Sequence, residues 1–134
     1  MKISSIEYLG ELRTKATHLP SGEQFITDAP PDNKGRGEAF SPTDLLATSL
    51  GTCAVTIMGI AAREHGFDLT GTHIEITKTM ESNPRWVGEV MVEINFPDNN
   101  YSEKEKTIIR KAACLCPVYQ SLHPDLKKTF VFNF

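Results

Sequence analysis

Two cysteines in this chain of 134 residues stand where thiol chemistry is possible. Cys53 lies inside a long apolar stretch, and Cys116 is followed at once by Pro117. Only the thiolate is a nucleophile, and a free thiol with a pKa of about 8.5 needs a nearby cation or a helix N-terminus to ionise at neutral pH. Pro117 offers Cys116 a helix start. Cys53 sits about three turns inside its helix, so its activation must come from a side chain that the fold brings to it. Arg13, Arg36 and Arg63 are the arginine candidates close in sequence. A third cysteine, Cys114, is two residues from Cys116, and on a helix the two diverge by about 200°, which prevents both from holding one ion. With no Cys-x-x-Cys or His-x-x-x-His pair, no metal site is expected. A Cys/His hydrolase would pair Cys53 with His18, His65, His73 or His123, yet no nucleophile-elbow turn or oxyanion loop adjoins Cys53. On residue type alone each thiol is equally a small core side chain.

The elements that must position these groups are legible. Residues 41–66 read as one long helix: Ser41 is the N-cap, Pro42 fits the first helical position, Asp44 closes a capping box, and Gly66 supplies a left-handed stop. Arg63 and His65 favour its last turn. No charge falls between Asp44 and Arg63, so the helix is expected to be central and buried. Thr48, Ser49, Gly51, Thr52, Thr56 and Gly59 make it too polar to be a membrane span. Ahead of it, residues 2–9 and 11–18 read as strands, with Leu12, Thr14 and Ala16 on one face and Arg13, Lys15 and Thr17 on the other. A turn at Leu19-Pro20-Ser21-Gly22 leads to a third strand, Gln24 to Asp28. Ala29 to Phe40 is a loop of about a dozen residues, of the length that often lines or covers a site; Arg36 and Glu38 stand out in it.

After the helix, Thr72–Met80 and Trp86–Phe96 read as a hairpin in which Val90, Val92, Ile94 and Phe96 share one face. A second capping box, Ser102 to Glu105, opens a helix to Leu115 or Cys116, with Ile109, Ala112, Ala113 and Cys116 on its apolar side. Cys114 lies on the flank of Arg110 and Lys111. Pro117 must break that helix, and a short one, Pro117 to Leu122, follows. The alternating Phe130, Phe132 and Phe134 make a last strand from Thr129.

The length predicts a single domain over residues 1–134. Hydrophobic content of 40% and charged content of 23% are those of an ordinary soluble protein, and a net charge of -3 with pI near 5.8 argues against nucleic-acid binding. The start MKISSIEYLG has no apolar core of signal-peptide length, so a cytoplasmic protein is expected. In that reducing compartment three cysteines do not form a disulfide scaffold.

The block Ser41-Pro42-Thr43-Asp44-Leu45-Leu46-Ala47-Thr48-Ser49-Leu50-Gly51-Thr52-Cys53, with Cys116-Pro117-Val118 some sixty residues on, resembles the paired signature of the OsmC/Ohr superfamily, named for osmotically inducible protein C and organic hydroperoxide resistance protein. The resemblance implies an α+β fold, with antiparallel sheets wrapped around a long central helix in an intertwined homodimer, and active sites near the subunit interface. It implies a peroxidase without metal or organic cofactor. Cys53 would attack a hydroperoxide and become a sulfenic acid, Cys116 would resolve it as a disulfide, and a dithiol, a lipoyl protein or a small thiol, would restore it. Arg13 is the counterpart of the family's thiolate-activating arginine. The glutamate that orients this arginine in hydroperoxide reductases sits ten residues before the reactive cysteine, where this chain has Thr43; Asp44 or Glu38 is the expected substitute. That departure points to a less characterised branch. The alternative within the same fold is a slow or non-enzymatic protein that binds a small ligand in an apolar pocket.

Overall fold

In the computed structural model, which describes residues 1–134, the chain divides into two units, Met1–Leu46 and Ala47–Phe134. The first holds an antiparallel sheet of β1 (Ser4–Gly10), β2 (Arg13–His18) and β3 (Gln24–Asp28), in that order. Glu11 and Leu12 both take positive φ, 54° and 61°, the conformation of a tight hairpin turn whose twist suits the flanking strands. Leu12 therefore belongs to the turn and not to the Thr14/Ala16 face on which alternation placed it. The register opposes Ile6 to Ala16, Tyr8 to Thr14 and Ala16 to Phe25, and directly opposed residues share a face. That face is apolar and open: Ile6 is 71% and Phe25 50% exposed. The other carries Glu7, Arg13, Lys15 and Asp28.

The loop after β3 is not a loose connector. It turns through Pro31–Asn33 and folds back on the strand, with the Gly35 N–H donating to the Pro30 carbonyl and the Gly37 N–H to that of Ala29. A Cβ on Gly35 would lie 1.7 Å from the Ala29 carbonyl oxygen, so only glycine allows this approach.

Helix α1 (Pro42–Glu64) starts in the first unit, where its capping box is formed: the Ser41 N–H donates to Asp44 Oδ2 at 2.9 Å and the Asp44 N–H to Ser41 Oγ at 3.1 Å. At its other end Gly66, with φ 77°, donates to the Arg63 carbonyl while the Phe67 N–H reaches Ala62, a Schellman stop. Ala47, Leu50, Ala54, Met58 and Ala62 are buried at helical spacing. The opposite face is not: Thr52 and Thr56 are exposed, and Ile60 is 48% exposed. The helix expected to be central and buried is buried by its own chain on one side.

The second unit covers that side with β4 (His73–Glu81), β5 (Trp86–Asn95) and β6 (Lys127–Asn133), in that order. β4 and β5 form the expected hairpin, and Val90, Val92 and Ile94 of β5 are fully buried. β6 pairs parallel to β5, so this sheet is mixed where an antiparallel one was expected. The reason lies in the connection, since two helices intervene between β5 and β6, and a crossover of that length brings a strand back in the same direction. Gly51 lets α1 close on the sheet: a Cβ there would stand 2.7 Å from Ile76 Cδ1. α2 (Glu103–Cys114) opens on the capping box of Ser102 and Glu105 and buries Ile109, Ala112 and Ala113. It ends at Cys114, short of the expected Leu115 or Cys116. Pro117 disfavours helical backbone in the residue before it, and Cys116 is extended, at φ -65° and ψ 140°, as N-cap of α3 (Pro117–Ser121).

Candidate functional site

The first unit builds an arginine clamp. Arg13 and Asp28 face each other at the ends of β2 and β3. The guanidinium donates from Nε to Asp28 Oδ1 at 2.7 Å and from Nη2 to Asp28 Oδ2 at 2.8 Å, a bidentate fork, and Nη2 also reaches Glu38 Oε1 at 3.0 Å. Asp28 Oδ2 in turn accepts the Glu38 N–H at 3.2 Å. The Asp28 side chain is wholly buried, whereas that of Glu38 is 66% exposed. The Arg13 hydrogen bond holds the Asp28 carboxyl below the usual range against the opposing cost of burial, helped by the Glu38 N–H and by the charges of Arg13 and Arg36. Asp28 in the same way pushes the Arg13 guanidinium up. Arg13 and Asp28 are therefore both ionised throughout the neutral range.

The second unit builds a thiol pair. Cys53, on α1, is partly buried, and Cys116, ahead of α3, is completely buried. Cys53 is near enough to Cys116 to act on its thiol. Cys116 Sγ also accepts the Tyr119 N–H at 3.2 Å, which makes the cysteine the cap of its helix. Burial pushes the Cys116 thiol above its ordinary value; the Tyr119 N–H pulls the other way, and the neighbouring Cys53 sulfur adds to the upward push. Cys114, two residues away, is exposed.

Of the residues singled out from sequence, Arg13 and Glu38 meet in the clamp, Cys53 and Cys116 meet in the thiol pair, and Asp44 caps α1. Thr43 Oγ1 lies 3.2 Å from Ser41 Oγ at the same cap. No cluster of His, Cys, Asp or Glu side chains is arranged to hold a metal ion. Sequence reasoning missed Asp28. The signal was available: reflecting the chain about the Leu19–Gly22 turn sets Arg13 opposite Asp28, opposite charges on one face of a ladder.

A sequence model of the OsmC-like protein family matches residues 35–130. The chain belongs to the OsmC-like family. Among solved structures, this OsmC-like chain superimposes with a TM-score of 0.95 on an inferred osmotic stress induced and detoxification response protein from Psychrobacter arcticus. The two are 48% identical over 99% of this chain and 96% of that one. It shares the fold of an organic hydroperoxide resistance protein OsmC from Legionella pneumophila, with a TM-score of 0.79 at 14% identity over 100% and 97% of the two chains. It also shares that of an organic hydroperoxide resistance protein from Elizabethkingia anophelis, with a TM-score of 0.76 at 15% identity over 97% and 93%. No curated protein matches the sequence. Identities of 14% and 15% carry the OsmC-like fold and nothing further.

Proposed function

We propose that this OsmC-like protein is a cysteine-based peroxidase that reduces organic hydroperoxides. The observation that carries the reading is the thiol pair: a partly exposed Cys53 beside a buried Cys116 that is held protonated. Cys53 thiolate attacks the terminal peroxide oxygen, the O–O bond breaks, and the alkoxide leaves and takes a proton, so Cys53 becomes a sulfenic acid. Cys116 then attacks Cys53 Sγ, a disulfide forms and water leaves. A sulfenic acid that meets no thiol is oxidised further and irreversibly, which is the chemical need for the second cysteine. A dithiol, a lipoyl group or a small molecule, returns the pair to thiols. Arg13, oriented by its carboxylates, supplies the cation that favours Cys53 thiolate. A second copy of the chain covers the open face of α1 and the apolar face of the first sheet, giving a homodimer.

Stopped-flow mixing with an organic hydroperoxide and with hydrogen peroxide tests the reaction, and peptide mapping of the oxidised protein tests the pair. Cys53→Ser is expected to abolish peroxide consumption, and Cys116→Ser to allow one turnover followed by overoxidation. A Cys53–Cys114 bridge, or no bridge, overturns the assignment. Arg13→Ala is expected to slow alkylation of Cys53 at neutral pH, and an unchanged profile removes Arg13 from the mechanism. Light scattering that finds a stable monomer at micromolar concentration removes the dimer.

A further inference from the structure

We propose that the reductant attacks Sγ of Cys53 and that Cys116 is the leaving sulfur. The inference rests on the peroxidase reading above and concerns the step that closes its cycle. Which sulfur of a disulfide is attacked depends on access and on what the departing sulfur becomes. Cys116 is fully buried among core side chains that include Ile109 and Ala113, and the Tyr119 N–H occupies a further side of its Sγ at 3.2 Å. A thiolate approaching that sulfur must displace core side chains and compete with a backbone hydrogen bond. Cys53, on α1, is only partly buried by its own chain.

Access has to outweigh leaving tendency, since burial holds the Cys116 thiol above its ordinary value and a thiol of higher pKa leaves more slowly; one backbone donor offsets part of that cost. The Tyr119 N–H already aims at Cys116 Sγ, so the negative charge that this sulfur gains on leaving meets a donor in place, and hydrogen bonds to charged groups are the stronger ones. The turn that carries the donor is fixed on both sides: the Tyr119 ring stacks on Phe130 at 5.9 Å, and Lys128 Nζ lies 5.1 Å from its centre. In the step, the reductant thiolate bonds to Cys53 Sγ, the Cys53–Cys116 bond breaks, and its electron pair leaves on Cys116, which takes a proton from solvent. The second thiol of the same dithiol then attacks the reductant sulfur of the mixed disulfide. That releases Cys53 as thiolate and closes the dithiol to a disulfide, so two electrons pass from the dithiol to the pair.

The test uses the full chain with Cys114→Ser, which removes the exposed third thiol. The protein is oxidised with one equivalent of an organic hydroperoxide, and peptide mapping checks for the Cys53–Cys116 bridge. It is then exposed briefly to the monothiol cysteamine, quenched in acid and alkylated. The expected result is a cysteamine adduct on Cys53 and an alkyl group on Cys116, in about tenfold or greater excess over the reverse pattern. Adducts on Cys116, or equal adducts on both, overturn the proposal while leaving the peroxidase reading intact. Absence of the bridge before cysteamine is added defeats the peroxidase reading itself and the proposal with it.

Discussion

The arginine clamp of the first unit and the thiol pair of the second hold their groups by opposite means. Arg13 is fixed by charge: two carboxylates, three hydrogen bonds, and shifts on Arg13 and Asp28 that keep both ionised. Cys116 is fixed by packing: a buried thiol, one backbone N–H, and a shift that keeps it neutral. Arg13 and Asp28 therefore cannot respond to pH near neutrality, and any pH dependence of the proposed reaction there has to arise from the thiols. The clamp is the part that charge removal breaks; the thiol pair is the part that pH tunes.

The largest expected effect is on the clamp. Asp28→Asn removes the charge that accepts both arms of Arg13 and weakens the acceptor of the Glu38 N–H, in a side chain with no exposure. Amide exchange along β2 and β3 is expected to quicken by about tenfold or more. The parent carries its own acid signature. Because the folded Asp28 value lies below the ordinary 3.8, its stabilisation is complete above that value and is lost as pH falls through the folded one. Asp28→Asn should lack this acid transition. Equal exchange in variant and parent would mean that the β2–β3 ladder holds without the clamp.

How much of this was legible in the sequence follows the same division. The caps of α1 and α2, the β4–β5 hairpin and the third strand at Gln24–Asp28 are local, written in Ser, Pro, Gly and alternation, and they appear where expected. The thiol pair was legible only through the spacing that resembles a family, since nothing near Cys53 or Cys116 in sequence brings them together. Asp28 was missed because a cross-strand ion pair needs the register, which depends on counting outward from a turn. The parallel pairing of β6 was missed because a strand's alternation is the same in either direction. The open face of α1 is what a chargeless helix expected to pack in a homodimer leaves on a single chain, because absence of charge marks a surface that avoids water without naming what covers it.

The clamp and the thiol pair also differ in their response to pH. In the proposed reaction, resolution requires Cys116 thiolate, and burial holds that thiol above its ordinary value. Once Cys53 is a sulfenic acid, its negative charge no longer adds to the push, but burial persists. The rate of disulfide formation should therefore rise by about tenfold per pH unit across the neutral range, following the thiolate fraction. Quenched-flow mass spectrometry measures it. A plateau near neutrality would reveal a cation acting on Cys116 and erase the distinction between the two sites.

A smaller effect separates the carboxylates within the clamp. Glu38 is 66% exposed and makes one contact at 3.0 Å, and exposed ion pairs contribute little. Glu38→Gln should change the rate of Cys53 alkylation by less than about twofold, with Asp28 still gripping both arms of Arg13. A change as large as that of Arg13→Ala would make Glu38, and not Asp28, the residue that orients the arginine.

The smallest expected effect belongs to Cys114, and it bears on what places a thiol in the pair. Cys114 is the last residue of α2 and is exposed, beside Arg110, Lys111 and Leu115 in a shallow apolar depression. Its backbone has a structural task, since its carbonyl accepts Gln120 Nε2 at 2.8 Å, but any residue supplies that carbonyl. Cys116, two residues on, is buried because Pro117 forces the backbone extended and turns that side chain into the core. Cys114→Ser exchanges one small exposed side chain for another, so stability should stay within about 0.5 kcal/mol and peroxide consumption near that of the parent. Thermal unfolding and stopped-flow mixing check both. If the variant loses activity as Cys116→Ser does, the backbone break at Pro117 is not what selects the resolving thiol, and the pairing of Cys53 with Cys116 fails.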